Sequence, residues 1–319
     1  MMIPRNRRVV DLSAIEENMR LLRSAVPSDA RMMAVVKADG YGHGAAETAQ
    51  AAIRGGADML AVASVGEGRQ LREKGIDIPI LVLGAVTEND VSDGICYGLT
   101  QTVCSPEMVR WCENAARSIQ KQAEVHLKID TGMGRIGVRT EEERDAVLKE
   151  LSHSRHICLT GTFTHFSDAD GGEDGMRYTQ KQYTRFRQLT DPLPGGIIRH
   201  CCNSAAIHRF PEMSMDMVRA GISLYGYPPV PTDLPLKPCM SWYADISYIK
   251  ELPAGEYISY GRTYQSGKTI RTATITCGYG DGYFRLAGKG GYVLIGGKRA
   301  KIIGRVKEIA HASLAPPLL

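Results

Sequence analysis

The sequence contains no apolar run approaching the ~20 residues that a membrane-spanning helix needs. It also lacks an opening signal-peptide stretch, because acidic Asp11, Glu16 and Glu17 follow the N-terminus almost at once. No two of its eight cysteines form a C-x-x-C pair, and Cys201 and Cys202 are adjacent. That spacing suits neither a zinc site nor a disulfide framework, so no metal is expected and the expected setting is a reducing cytoplasm. An excess of one charge is missing too. The formal net charge is +4, and it is spread along the chain, which argues against a nucleic-acid partner. The basic opening Arg5-Asn6-Arg7-Arg8 is short and reads as a solvated segment. There is no internal repeat and no low-complexity tract.

What is present is an ordinary globular composition. Hydrophobic residues make up 43% and charged residues 23% of 319, enough to build one large core or two smaller ones. Asp11 is placed to cap a helix over 11–26, with apolar Leu12, Ile15, Met19 and Leu22 at helical spacing. Met32 to Val36 then form a continuous apolar run ending at Lys37, the pattern of a strand covered on both faces. The alternation continues. Strands are predicted near 58–63, 79–83, 99–103, 124–129, 158–165, 197–201 and 217–221, with helices between them such as Ser105–Lys121, Thr140–Leu151 and Met176–Leu189. Eight strand–helix pairs in about 215 residues predict an α/β fold of the (β/α)8 barrel type, with a doubly wound open sheet as the alternative. After Tyr225-Gly226-Tyr227-Pro228-Pro229 the texture changes to a proline-rich linker. Strand-like segments at Ala244–Glu251, Thr269–Thr276, Tyr292–Ile295 and Ala300–Ile303 follow, separated by glycine-containing turns. The expected division is a barrel over 1–228, whose first residues are open to pairing with the second domain, and a smaller β-domain over 229–319.

In a barrel, polar residues at the carboxyl ends of strands face the ligand. Lys37 leaves a strand and is followed by Ala38-Asp39-Gly40-Tyr41-Gly42-His43-Gly44. A desolvated lysine there favours Schiff-base chemistry, and a solvated strand-end lysine is the alternative. Lys128 and Arg135 sit in His126-Leu127-Lys128-Ile129-Asp130-Thr131-Gly132-Met133-Gly134-Arg135-Ile136-Gly137. An arginine fork suits a carboxylate or phenolate oxygen, and equally a surface salt bridge. His165, in Thr164-His165-Phe166, ends a strand as either a ligand contact or a structural residue. Ser204 follows Asn203, and both are good helix caps near which backbone N–H groups favour phosphate. Arg219 lies within the apolar run Met217-Val218-Arg219-Ala220-Gly221-Ile222 and needs a partner, since burying its charge alone is costly. Tyr260 and Tyr279 sit beside glycines, in Ser259-Tyr260-Gly261-Arg262 and Gly278-Tyr279-Gly280-Asp281, where turn or core roles are the ordinary reading.

The segment Val36 to Gly44 closely resembles the lysine motif of alanine racemases, which use pyridoxal 5'-phosphate (PLP). The other segments quoted above are similar to further motifs of that family, in order, over roughly residues 3–305. The resemblance implies that PLP is carried covalently by Lys37, which also serves as one catalytic base. Tyr260 is then the second base, contributed across a homodimer interface so that the active sites are shared. Tyr41, Ser204, Gly221 and Ile222 would hold the cofactor phosphate, and His165 would lie against the pyridine ring. Arg219 would donate to the pyridine nitrogen, where its permanent charge keeps that nitrogen unprotonated and limits transamination. Arg135 and Tyr279 would meet the substrate, and Lys128 would be a carbamylated lysine that fixes Arg135. The implied reaction is racemisation of a small amino acid, L-alanine to D-alanine for peptidoglycan precursors. A serine or broader racemase and a non-catalytic PLP-binding protein are the alternatives. A PLP decarboxylase is disfavoured, because it needs a carboxylate where Arg219 stands.

The resemblance stops near Gly304-Arg305-Val306. The family continues with a Cys-Met-Asp-Gln type segment, whereas this chain reads Lys307-Glu308-Ile309-Ala310-His311 and onward. A truncation or reading-frame change is expected, with a natural short variant as the alternative, and with it an incomplete β-domain and unpaired strand edges.

Overall fold

The computed structural model describes residues 5–314. They divide into two units, one formed by Val10–Cys239 and the other by residues 5–9 together with 240–314.

Strand β1 (Asn6–Val10) opens the described chain. Eight parallel strands follow in the larger unit: β2 (Arg31–Val35), β3 (Met59–Val62), β4 (Ile80–Val82), β5 (Gln101–Val103), β6 (Ala123–Lys128), β7 (Ile157–Phe163), β8 (Ile198–His200) and β9 (Met217–Ala220). The helices are α1 (Leu12–Ser24), α2 (Ala45–Arg54), α3 (Val65–Glu73), α4 (Glu88–Cys96), α5 (Pro106–Ser118), α6 (Glu141–His153), α7 (Glu173–Thr190) and α8 (Ser204–Arg209). The sheet runs β4-β3-β2-β9-β8-β7-β6-β5. Its two ends meet, with Thr100 N–H donating to Ile80 O at 2.9 Å and Val82 N–H to Thr100 O at 3.0 Å. This closure makes the sheet a barrel and excludes the open doubly wound alternative.

Strand alternation sorts the core. Met32, Ala34 and Val36 face the helices, while Met33 and Val35 join Met59, Ala61, Leu81, Phe163 and Met217 in a separate cluster on the opposite side of the strands. Several helices start on side-chain caps: Asp11 Oδ1 accepts from Ala14 N–H at 3.0 Å, Ser105 Oγ from Met108 N–H at 3.2 Å and Thr140 Oγ1 from Glu143 N–H at 3.2 Å. Such a cap contributes about 1 kcal/mol. The proline-rich segment stays with the barrel because buried Asn18 of α1 grips it. Its amide donates to Leu224 O (3.0 Å) and Lys237 O (2.8 Å) and accepts from Lys237 N–H (2.8 Å).

The other unit is β-rich. β1 pairs with β10 (Met240–Ala244). β11 (Ile246–Leu252) lies antiparallel to β14 (Ile270–Ile275), and the short strands β12 (Tyr257–Ile258) and β13 (Tyr264–Gln265) pair with each other. Residues 244–251, expected as one strand, are broken at Asp245. There the chain leaves β1 for β14, and Asp245 bridges Arg5 O and Thr276 N–H, at 2.8 and 3.0 Å. β15 (Tyr292–Ile295) and β16 (Lys298–Lys301) form a hairpin. The segment that departs from the family pattern supplies β17 (Ala310–Leu314), antiparallel to β14; residues 315–319 lie outside the described region.

Candidate active site

Lys37 lies two residues beyond β2, where the backbone turns left-handed: φ is 52° at Ala38, Asp39 and Tyr41, and 60° at Gly40. Three non-glycine residues in that region within one four-residue turn are costly, and neighbours hold them. Glu67 of α3 accepts from Ala38 N–H (2.9 Å) and Ala63 N–H (2.7 Å). Asp39 accepts from Ala45 N–H at 2.9 Å, which fastens the turn to α2. A Cβ on Gly40 would come within 3.0 Å of Thr48 Oγ1, so the close approach to α2 requires glycine there. The turn sets Lys37 Nζ 6.0 Å from the Tyr41 ring centre, and Tyr41 leans on buried Tyr225 with ring centres 5.1 Å apart.

Lys37, Tyr41, Lys128, Arg135, His165, Ser204, Arg219, Gly221 and Ile222 all line one cavity of about 460 Å³. That volume falls in the usual range for small-ligand sites. Sequence reading therefore named nine residues that the barrel brings together from strands far apart in the chain. It missed Asp170 and Phe163, and read Asn203 only as a helix cap; all three also line the cavity. Lys37, Lys128, Arg135 and Arg219 face a single lining carboxylate, Asp170. The cavity is therefore suited to an anionic ligand.

Three of these residues form a small cradle. Ser204 Oγ accepts from Gly221 N–H (2.9 Å) and Ser223 N–H (3.3 Å). A Cβ built on Gly221 would sit 3.5 Å from Ser204 Oγ and 3.6 Å from the Tyr41 hydroxyl, in the space where these polar groups converge.

Arg219 is buried with no carboxylate in contact. Its Nη1 donates to His200 O and His200 Nδ1, both at 3.1 Å. Its Nη2 donates to Thr164 O (2.8 Å), Cys201 O (3.0 Å) and His165 Nδ1 (3.2 Å). Among the described residues no protein acceptor meets Nε–H, which leaves that donor for a ligand in the cavity. Burial lowers the Arg219 guanidinium to about 10, so it stays charged at neutral pH. His165 is lowered to about 3, by burial first and then by Arg219, Arg135, Lys128 and Lys37. It is a neutral ring whose Nδ1 accepts from Arg219, which puts its proton on Nε2.

Lys128 is the second buried cation. Its Nζ donates to Ile129 O at 2.8 Å and lies 5.2 Å from the Phe163 ring centre. It makes no ion pair among the described residues. Burial lowers it to about 7, with Arg219 and Arg135 adding to the shift and Asp130 opposing it.

Tyr260 and Tyr279 belong to the other unit and are 70% and 46% exposed. Lys307 Nζ lies 5.0 Å from the Tyr260 ring centre. The Tyr279 hydroxyl donates to Glu308 Oε1 at 2.6 Å, and that hydrogen bond raises the phenol and lowers the carboxyl. Among the described residues no helix is long and apolar enough to cross a membrane.

The closed parallel barrel, the lysine in a polar cavity and the following β-rich unit are shared with the chain's relatives, which make it an amino-acid racemase, an isomerase. The chain belongs to the alanine racemase family: the model of the alanine racemase N-terminal domain matches residues 10–229, and that of the C-terminal domain matches 239–307. It is 42% identical over 304 residues to alanine racemase 1 of Oceanobacillus iheyensis, covering 93% of this chain and 80% of that one. The solved alanine racemase of Clostridium difficile 630 superposes with a TM-score of 0.91 at 35% identity, covering 99% of this chain and 84% of that one. A histidine racemase from Leuconostoc mesenteroides superposes with a TM-score of 0.89 at 26% identity, covering 99% and 86%.

Proposed function

We propose that this chain interconverts the enantiomers of alanine, with PLP held in the barrel cavity and attached at Lys37. One arrangement carries the reading: Lys37, the Tyr41–Ser204–Gly221 cradle and a charged, carboxylate-free Arg219 line the same cavity. These residues suit the cofactor's three polar features, with Lys37 for the aldehyde, the cradle and Ile222 for the phosphate, and Arg219 for the pyridine nitrogen. Bound PLP supplies an electron sink that acidifies the substrate's α-hydrogen. Lys37 moves that proton on one face, and Tyr260, contributed by a second copy of the chain, moves it on the other. With the cofactor bound, Arg135 would orient the substrate carboxylate, the neutral His165 would help hold the cofactor ring, and Tyr279 of the second copy would line the entrance. The working unit is thus a homodimer with shared sites. Its setting is the cytoplasm, where thiols such as exposed, unpaired Cys96 and Cys158 stay reduced.

Lys128 is the proposed site of carbamylation. An amine lowered to about 7 by burial is partly neutral at physiological pH. Its nitrogen lone pair adds to the carbon of CO2, and one proton leaves the nitrogen to solvent. The resulting carbamate places a negative charge where Arg135 can meet it.

The test is to purify the protein with PLP and follow loss of optical rotation from L-alanine, L-serine and L-histidine. Fastest loss with L-alanine supports the reading. Comparable rates on serine or histidine favour the broader racemase that the histidine-racemase likeness suggests. Cofactor uptake with no loss on any substrate identifies a PLP-binding protein instead.

A further inference from the structure

His126 and His200 are buried, titratable and not used by the chemistry above, yet they stand in line with Arg219. His200 Nδ1 lies 3.1 Å from Arg219 Nη1, and His200 Nε2 lies 3.0 Å from His126 Nδ1. Arginine is a donor only, so His200 Nδ1 must accept and the His200 proton sits on Nε2. That N–H donates to His126 Nδ1, which places the His126 proton on its own Nε2. One fixed donor thereby sets the tautomers of two rings in series. Both rings are neutral: burial lowers His126 to about 3 and takes His200 well below its ordinary value.

The barrel is shaped to hold this line. Gly161 of β7 pairs with His126 of β6. A Cβ on Gly161 would lie 2.6 Å from the His126 ring, so the ring fits only because that position has no side chain. Phe163 stacks on His200 with ring centres 4.9 Å apart and planes 9° apart, which restrains the ring's tilt. His126 and His200 are 1% and 0% exposed, so water cannot readily replace a lost partner.

We infer that His126 is a positioning residue that acts through His200 to hold Arg219 in its aim at the cofactor. Without His126 the His200 Nε2–H loses its side-chain acceptor. The Nδ1–H tautomer then becomes competitive and points a proton at the guanidinium it should accept from. The role rests on the reading of Arg219 as the cofactor's partner.

The test uses the whole protein, wild type and two variants. His126→Leu removes the acceptor, whereas His126→Asn keeps one, because its Oδ1 can stand where Nδ1 does. Side-chain nitrogen chemical shifts of the histidines, measured in cofactor-free protein, report the tautomers directly. Fluorescence titration with PLP reports affinity. We expect Nε2–H forms at His126 and His200 in the wild type. We expect displaced His200 signals and about tenfold weaker PLP binding in His126→Leu, the ratio that loss of a hydrogen bond of about 1.4 kcal/mol produces. Both are restored in His126→Asn. A wild-type His200 protonated on Nδ1 overturns the inference. So does a His126→Leu protein with unchanged affinity while the wild type binds PLP. If the wild type shows the expected tautomers but takes up no PLP, the cofactor reading falls and the positioning role with it. Should His126→Leu not fold, wild-type tautomers on Nε2 with wild-type affinity in His126→Asn support the role, and a His200 proton on Nδ1 in either protein overturns it.

Discussion

Replacing Lys128 by methionine should make the barrel more stable below neutral pH and flatten its response to pH. Lys128 is buried, and its amine titrates near 7 in the folded protein against 10.5 ordinarily. The unfolded chain therefore holds this proton up to about pH 10.5, and the folded chain only up to about 7. Between those values the unfolded state binds more protons, so stability rises with pH across that window. Below pH 7 both states are protonated and the full penalty of burying the charge applies. A difference of 3.5 between 10.5 and 7 corresponds to about 5 kcal/mol, as an order of magnitude. Lys128→Met removes this penalty and loses the hydrogen bond to Ile129 O, worth about 1 kcal/mol. The net gain at pH 6 is then up to about 4 kcal/mol, declining to nothing or a small loss near pH 10.5. The assay is urea unfolding of cofactor-free protein in CO2-free buffer at several pH values. Circular dichroism at the helical band is a suitable probe, because the described α-helices belong to the barrel unit. Parallel pH slopes for wild type and variant would refute the reasoning. Bicarbonate should stabilise the wild type and not the variant, because a carbamate formed only in the folded state shifts the equilibrium by mass action.

Two further outcomes follow from the geometry. Tyr260→Phe should slow racemisation unequally in the two directions, measured as exchange of the α-hydrogen with deuterated water from each enantiomer; equal losses would count against a base on each face. Asn18→Leu should cost roughly 2–4 kcal/mol in urea unfolding, since it strips two hydrogen bonds to Lys237 of the proline-rich segment and one to Leu224 just before it, and leaves buried backbone groups unpaired. A loss under 1 kcal/mol would mean that the segment is held by other contacts.

Much of this was legible in the sequence, because strands covered on both faces and capped helices carry local signals. Asp11, Ser105 and Thr140 cap helices close to where those helices were expected. Lys37 was legible through the motif around it. The left-handed turn that aims it was not, because Ala38 and Tyr41 have no intrinsic preference for positive φ. The turn is held by Glu67, distant in the chain, and by Asp39 bonded to Ala45 of α2. Arg219 was flagged as a charge in need of a partner, yet the partners are backbone oxygens and two histidines rather than a carboxylate. Sequence patterns do not show carbonyl acceptors. The same limit hid the His126–His200 line, in which two strand residues meet only after β6, β7 and β8 close into the barrel. The break at Asp245 escaped because its cause is a change of pairing partner, not a local breaker residue.

The central claim, that Lys37 carries PLP in this cavity, is tested most directly by chemical trapping. The PLP-loaded protein is reduced with borohydride, digested and mapped by mass spectrometry. The account predicts a pyridoxyl adduct on the peptide containing Lys37, and none there in Lys37→Ala. An adduct confined to Lys128 or to surface lysines, or an unlabelled Lys37 in protein that retains the cofactor, would contradict it.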